Sequence, residues 1–434
     1  MKQLTELATP FASVADSLPL VGNEFPWLNA LRQQATSQFN IDGLPAKKVE
    51  DWKYTSLWSL AQQSFTHDAD KFSLDAQQCD QIALLVDAYR LVIVDGEFSQ
   101  GLSSVDALPA GLSITSLSTS LTNVEHVLGK QVDLAKAGLT ALNTMLMNEG
   151  VVVTVATDVH IEKPIELLVI NSGNTEGLAT HLRNVITLER NSKATIIEHY
   201  VGLSDDNYFT NVVTEVVLAE KAELNHYKLQ QESKNAFHIA TLAAKQAANS
   251  QWKTNNISLG AKLARNDVHS QLLGEQAHVV MDGLYLVNND QHIDNHTRID
   301  HGVPNTTSEE LYKGVLEDNS HAVFNGKVIV HKDAQKTDAN QQNHNLLLSR
   351  GCEIDSKPEM EIYADDVKCG HGSTVGQINE NQLFFLRARG LDEVTARSLL
   401  TYAFAVDVLE RIPYEDIRQA LSVVIEQRLP RGGK

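Results

Sequence analysis

A mainly β fold, a β-solenoid flanked by helical regions at both ends of the chain, is the fold class that the sequence predicts. Between about residues 151 and 376, short runs rich in Val, Ile and Thr alternate with Asn, Gly, Asp and Ser, and no apolar stripe of helical length interrupts them. A weak internal repeat runs through the same region, and helical spacing of apolar residues occurs on either side of it. These observations divide the chain into residues 1–150, 151–380 and 381–434.

The internal repeat consists of a polar residue, a small residue, an arbitrary residue and usually an apolar one. It occurs at residues 193–196, 221–224, 249–252, 276–279, 319–322 and 351–354. Its small residues are 28, 28, 27, 43 and 32 positions apart. Three nearly equal steps followed by two longer ones indicate stacked coils, the later ones carrying insertions. A β-sandwich with chance spacing is the alternative interpretation.

The first 150 residues are predicted to be helical and then mixed. Apolar residues from Trp27 to Phe39 form a partial helical stripe that Gly43 ends. Residues 91–94 predict a short strand followed by a turn at Asp95 and Gly96, and residues 134–147 return to helical spacing. The segment EDWKYTSL, residues 50–57, is too aromatic and too charged for a plain linker.

Helical spacing returns after Gly376. Asp392 is suited to cap a helix, and Pro413 lies where a second helix could begin. The apolar stripe of the first helix consists of Ala396, Leu399, Leu400, Ala403 and Phe404. Such a helical pair either covers the end of the domain or provides a docking surface for another protein, and the spacing alone leaves both open.

Charge and composition exclude several classes of protein. The 434 residues carry a net charge of −19, which argues against sequence-independent binding to nucleic acid or to an anionic membrane because both need clustered positive charge. No apolar run approaches the roughly 20 residues that span a bilayer, and the first residues lack the apolar core of a signal peptide. We therefore expect a soluble cytoplasmic protein whose three scattered cysteines are reduced.

The stretch SKPEMEIYADDVKCGHGSTVG, residues 356–376, carries the strongest chemical signal. If its second half is extended, Cys369 and His371 point the same way, roughly 7 Å apart, and the residues opposite them are mostly glycine. A thiolate and an imidazole suit zinc, iron or copper, but two ligands do not close a tetrahedral site. The pattern therefore predicts half of a metal site, or else a buried free cysteine beside a hydrogen-bonded histidine.

Other familiar chemistry is missing from the sequence. No phosphate-binding G-x-x-x-x-G-K-[ST] loop, G-x-S-x-G elbow, H-E-x-x-H or C-x-x-C motif occurs. Histidines gather between His292 and His301, with His321, His331 and His344 beyond, and we expect most of them to be solvent-facing or structural. Asp365 and Asp366 would point to opposite faces of an extended chain, which makes them a poor pair for glycoside hydrolysis.

Several long motifs resemble the SufB/SufD family of iron–sulfur cluster assembly proteins. They are residues 356–376, QKTDANQQNHNLLLS (335–349), TRIDH (297–301), ELYKGVL (310–316) and LFFLRARG (383–390). They occur in the family's order, and the resemblance covers most of the chain after about residue 190. The segment at residues 50–57 and the chain length resemble the SufD branch of that family rather than the SufB branch.

The resemblance implies a right-handed parallel β-helix between helical regions and a non-catalytic scaffold function. It implies a heterodimer with SufB, association with the ABC-type ATPase SufC, and a transient iron or iron–sulfur cluster at the SufB interface, with no cofactor held stably by this chain alone. His371 and Cys369 match the family's histidine and cysteine at that interface. A β-helix enzyme acting on carbohydrate is the alternative function.

Two further expectations concern partners. We expect the apolar stripe at residues 396–404 to dock the ATPase, since it is more complete than a short terminal helix needs if the helix only covers the end of the fold. We also expect open strand edges in the last coils, at residues 327–330 and 360–367, to pair with a related chain, and to form a homodimer when that chain is absent.

Overall fold

The computed structural model describes Phe11 and residues 18–105, 107–135 and 137–429. It is mainly β, with a solenoid of about eight turns and helices at both ends, so the solenoid prediction is confirmed over the sandwich alternative. Within these residues no helix is both long enough and apolar enough to cross a membrane.

Two long sheets form opposite walls of the solenoid. The ten-stranded sheet is built from β1 (Tyr89–Val94), β2 (Glu97–Phe98), β5 (Ile165–Asn171), β7 (Lys193–Gly202), β9 (Glu223–Gln231), β11 (Gln251–Ser258), β13 (His278–Val287), β15 (Thr307–Leu316), β17 (Asp338–Leu347) and β19 (Lys368–Gly376). The nine-stranded sheet is built from β3 (Leu112–Ser116), β4 (Val151–Val155), β6 (Ala179–Leu188), β8 (Phe209–Leu218), β10 (Phe237–Gln246), β12 (Leu263–Leu272), β14 (His292–His301), β16 (His321–Val330) and β18 (Glu353–Ile362).

Successive coils of the solenoid add one strand to each sheet. The strand order is β19-β17-β15-β13-β11-β9-β7-β5-β1-β2 in the ten-stranded sheet and β18-β16-β14-β12-β10-β8-β6-β4-β3 in the nine-stranded sheet. Neighbouring strands from β4 to β19 pair in parallel, whereas β2 and β3 pair antiparallel with β1 and β4.

The strand register corrects the predicted insertions in the later coils. Gln251, His278, Thr307, Asp338 and Lys368 pair in sequence across one sheet, and successive members are 27 to 31 positions apart. The step of 43 arose because the repeat match passes there from β13 of the ten-stranded sheet to β16 of the nine-stranded sheet. The step of 32 is the length of one coil, since His321 of β16 pairs with Glu353 of β18. The coils therefore keep nearly the same length to the end of the solenoid.

The repeat itself marks corners of the coils. Lys221, Asn249 and Gln276 adopt positive φ angles of 61°, 60° and 61°, and each is followed by a small residue that is completely buried. A left-handed residue turns the chain sharply, and only a small side chain fits inside the corner. This explains why a polar residue followed by Ala or Ser recurs once per coil.

The N-terminal region packs on the outside of both sheets: most of its helices lie on the nine-stranded sheet, whereas Cys79 clusters with Val92 and Leu168 of the ten-stranded sheet. Its helices are α1 (Pro26–Asp42), α2 (Trp58–Ala61), α3 (Ala76–Ile82), α4 (Leu117–Val124) and α5 (Gly138–Leu146), with a 3₁₀ turn at Glu50–Trp52. Buried residues of α1 and α5 share one apolar cluster with Ala179, Phe209, Phe237 and Leu263 of the sheet. Because β1 and β3 also belong to the two sheets, the solenoid begins inside the segment that precedes residue 151.

Three C-terminal helices, α6 (Glu380–Arg387), α7 (Glu393–Glu410) and α8 (Glu415–Arg428), follow the last strand. Asp392 caps α7, as predicted, by accepting a hydrogen bond from the Thr395 amide at 3.0 Å. The second half of α7 and all of α8 lie along the outer face of the ten-stranded sheet, where Val408 and Leu421 pack against Leu229 and neighbouring residues. These helices therefore cover one wall of the solenoid.

Candidate functional site

The final coil leaves both sheets with a free edge at the C-terminal end of the solenoid. In the described part of the chain, β18 pairs only with β16, and β19 pairs only with β17. Residues 360–362 lie on the free strand β18, as predicted for an edge. Residues 327–330 lie on β16, which pairs on both sides, so the expectation that they form an edge was wrong.

Cys369 and His371 lie on the free strand β19 and face the interior of the solenoid. They pair in register with Ala339 and Gln341, which are buried inside the previous coil. No further coil in the described part of the chain covers them, and Cys369 is half-buried while His371 is exposed. The predicted placement of the two side chains on one face of a strand is confirmed.

The environments of the two side chains differ. Burial raises the pKa of the Cys369 thiol above its ordinary value. The thiol is therefore protonated near neutral pH, and a metal ion or another cation is needed to make it a thiolate ligand. His371 is already accessible to a partner, a metal ion or solvent.

The other side of β19 leaves space for an approaching chain. A Cβ atom added at Gly370, Gly372 or Gly376 would meet nothing within 4 Å. Across the interior, the hydroxyl groups of Ser356 on β18 and Ser373 on β19 lie 2.8 Å apart, which ties the two free strands together. The open end therefore combines a fixed backbone with an unobstructed edge.

A line of buried polar side chains continues from this end into the solenoid, and sequence reasoning missed it. Gln341, which pairs with His371 in register, donates a hydrogen bond of 2.7 Å to Glu310 of the coil before. Burial raises the pKa of Glu310 to about 7. The signal was present in QQNHN, residues 341–345, where alternate polar residues cannot all face water in a stacked coil.

Polar contacts run deeper along the same interior. Lys228 bonds to His238 at 2.7 Å, and His226 bonds to Glu198 at 3.0 Å. All four side chains are buried, and burial lowers the pKa of Lys228 to about 8. Such a network fixes the stacking of neighbouring coils, because a shift between coils would leave buried polar groups without their hydrogen-bond partners.

The segment at residues 50–57 holds the N-terminal region against the nine-stranded sheet. The Arg265 guanidinium carbon lies over the Trp52 ring, 3.9 Å from the centroid of that ring. Thr55 donates a hydrogen bond of 2.5 Å to buried Asp294, and Glu50 pairs with Lys357 of the last coil at 2.9 Å. The aromatic and charged character of the segment is therefore explained by contacts to the solenoid.

The five stripe residues of α7 divide between buried and exposed positions. Ala396 is completely buried, and Leu400 and Phe404 pack partly beside it, in a cluster that contains Leu346 and Leu383. Leu399 is 47% exposed and Ala403 is also exposed. Part of the stripe therefore holds the helix to its own domain, and the remainder is accessible.

An exposed apolar surface extends from Leu399 to neighbouring residues that the sequence analysis did not single out. Phe384, Phe385 and Val394 are 73%, 53% and 46% exposed. The two adjacent phenylalanines in LFFLRARG were the available signal, since adjacent residues of a helix point in different directions and cannot both lie on one buried face. Hereafter Phe384, Val394, Leu399 and Ala403 are called the α6–α7 surface.

Most histidines that the sequence grouped together are structural. His301 is completely buried between Thr306 and Ser308, with hydrogen bonds of 2.8 and 2.9 Å. His292 bonds to Thr55 at 2.8 Å, and burial lowers its pKa to about 4. Asp366 forms an ion pair with Lys336, which removes it from any pair of catalytic carboxylates with Asp365.

Together these features define a β-solenoid whose last coil presents two free strands, an accessible imidazole and a half-buried thiol at one open end. Two family models match this architecture. The one described as SUF system FeS cluster assembly, SufBD core domain, matches residues 169–404. The one described as SufBD protein N-terminal region matches residues 7–167.

Full-length relatives show the same affiliation. The chain is 34% identical to the iron–sulfur cluster assembly protein SufD of Escherichia coli over 93% of each chain. It is 32% identical to an iron–sulfur cluster assembly SufBD family protein of Synechocystis, over 98% of this chain and 96% of that protein. It is 25% identical to SufD of Bacillus subtilis, over 93% of this chain and 94% of that protein. The chain belongs to the SufBD family and has a role in SUF iron–sulfur cluster assembly.

Proposed function

We propose that this chain is a cytoplasmic, non-catalytic scaffold subunit that pairs with SufB and docks the ATPase SufC, so that clusters are built at the SufB-facing end. One observation carries the proposal. The free strand edges and the incomplete ligand pair of Cys369 and His371 occur at the same open end of the solenoid. A partner that extends the sheets would therefore complete the ligand set in the same step.

The open end has the character of an interface. Ile362, the last residue of β18, and Val375 on β19 are apolar residues that are 42% and 54% exposed. Unpaired strand edges bearing exposed apolar side chains associate with other chains unless they are blocked. A related solenoid with matching edges is the partner that fits best, and a second copy of this chain is the substitute when that partner is absent.

The iron–sulfur cluster is the product that the assembly builds. A thiolate from Cys369 and an imidazole from His371 supply two ligands of the types that iron accepts, and the partner supplies the others. Because the Cys369 thiol is protonated on its own, ligation releases its proton. His371 is the more important of the two, since it is already exposed and a partner thiolate could replace Cys369.

His371→Ala tests this part of the proposal. The co-expressed complex should assemble normally but contain much less iron and acid-labile sulfide, whereas Cys369→Ala should have a smaller effect. His344→Ala is the matched control, because His344 lies on the neighbouring strand and faces outward. Full cluster content in the His371→Ala complex would show that the histidine is structural.

The α6–α7 surface is the proposed docking site for SufC. Removing residues 392–434 would be an unsuitable test, because it uncovers the apolar wall that α7 and α8 protect. Leu399→Glu changes only an exposed position and should abolish co-purification of the ATPase. Val423→Glu is the control, since Val423 is 52% exposed but lies on α8. Retained association in Leu399→Glu would place the docking site elsewhere.

A further inference from the structure

A histidine and two carboxylates converge on the outer face of the nine-stranded sheet, at its free edge. His321 is the first residue of β16, and it pairs directly with Glu353, the first residue of β18. Asp355 follows two positions later and therefore faces the same way. Among the residues that the structure describes, these three form the one group of His, Cys, Asp and Glu side chains whose ligand atoms all lie within 4.8 Å of one another.

The backbone beneath this cluster is well supported. β16 pairs with β14 on one side and with β18 on the other. Ile354, between the two acidic residues, points inward and packs against the core. The alternation of the strand thus fixes both carboxylates on the outer face, beside the imidazole.

Glu353 is the least engaged member of the cluster. The His321 Nε2 atom lies 2.8 Å from an Asp355 oxygen. The structure shows no hydrogen bond or ion pair from the Glu353 carboxylate to any described residue. Lys357, the next cationic residue on β18, is held by Glu50 and Glu359 at 2.9 and 3.0 Å.

A second imidazole packs against the site. The ring of His292 on β14 meets that of His321 edge-on, with centroids 4.6 Å apart. The His292 Nε2 atom lies 2.8 Å from the Thr55 hydroxyl group, so this nitrogen is already engaged. His292 therefore holds the proposed ligand His321 in place without itself being a candidate ligand.

We propose that His321, Glu353 and Asp355 bind one divalent first-row transition-metal ion, of the class of Fe²⁺, Mn²⁺ or Zn²⁺. Imidazole and carboxylate together suit these ions, whereas Mg²⁺ and Ca²⁺ prefer oxygen ligands alone. On binding, the metal replaces the contact between His321 and Asp355, and any proton on the coordinating nitrogen leaves for solvent or resides on Nδ1. Three protein ligands leave coordination positions for water or for a group from a partner.

This site is separate from the Cys369 and His371 pair. Those residues lie on the ten-stranded sheet and face the interior, whereas His321 and its partners face outward from the opposite sheet. The proposal therefore does not depend on the cluster-building site, and its failure would leave that site untouched.

Titration of the purified, untagged chain with Co²⁺ tests the proposal, followed by competition with Zn²⁺ and Mn²⁺. To exclude binding at the other pair, the titration is done in the His371→Ala background. We expect one saturable equivalent, with the visible absorption of a Co²⁺ ion bound by nitrogen and oxygen. Glu353→Gln and Asp355→Asn keep the side-chain shapes and should each weaken the affinity about tenfold or more, as should His321→Ala.

His331→Ala is the matched control, because His331 is an exposed histidine paired with a single carboxylate, Asp300, at 3.5 Å. It should leave the affinity unchanged. Circular dichroism and thermal unfolding confirm that each variant is folded. Equal affinities for the parent and for Glu353→Gln, or the absence of a saturable equivalent in the parent, would overturn the assignment.

Discussion

Glu310 provides a direct test of the buried polar line that leads to the open end. Its side chain is 3% exposed, faces the interior of the solenoid and accepts a hydrogen bond of 2.7 Å from Gln341. Burial raises its pKa from 4.5 to about 7. The folded protein therefore binds a proton at Glu310 more tightly than the unfolded chain does.

The sign and size of the effect follow from this difference in pKa. The stabilisation is fully present below pH 4.5 and is lost as the pH rises to about 7. One pKa unit corresponds to about 1.4 kcal/mol, so the loss over this window is about 3 kcal/mol in the free energy of unfolding. Glu310→Gln keeps the shape of the protonated acid but cannot ionise. It should match the parent near pH 4.5 and exceed its stability by about 3 kcal/mol above pH 7.

Urea unfolding of both proteins at a series of pH values between about 4.5 and 8.5 measures this difference. Titrating groups that do not interact with Glu310 contribute equally to both curves and cancel in the difference. Glu309→Gln is the control, because Glu309 is on the opposite face of the strand and 55% exposed at its side chain. Parallel stability profiles for the parent and Glu310→Gln would refute the assignment of a protonated interior carboxyl group.

Two further predictions concern the core and the open end. Arg183→Met should lower the free energy of unfolding by about 3–5 kcal/mol, because it removes the guanidinium that lies 2.7 Å from the buried Glu215 carboxylate. Denaturant unfolding measures the loss, and adding Glu215→Gln should recover part of it. The isolated chain should sediment as a dimer at micromolar concentration. The double substitution Ile362→Lys and Val375→Lys should convert it to a monomer, because it places charges at the exposed edges. A parent protein that is already monomeric would count against the homodimer.

Periodicity in the sequence determined the elements of this fold. The alternation around Met360 and the parity of Cys369 and His371 predicted the last two strands correctly, because a strand presents alternate residues to one face. Asp392 predicted the start of α7 through the local chemistry of a helix cap. The long family motifs between residues 297 and 390 predicted the solenoid and the role in cluster assembly through the resemblance that they carry.

Only the tertiary structure decided which positions meet across the coils. His321 and Glu353 occupy the same place in the last two matches of the repeat, 32 positions apart, but this spacing was also compatible with a β-sandwich, and only the pairing of β16 with β18 makes the two residues neighbours. The division of the α7 stripe into buried Ala396 and exposed Leu399 likewise depends on how the helix folds back onto the solenoid. Local patterns specify backbone conformation, whereas burial and contact depend on stacking between distant segments, which periodicity within one strand or helix does not encode.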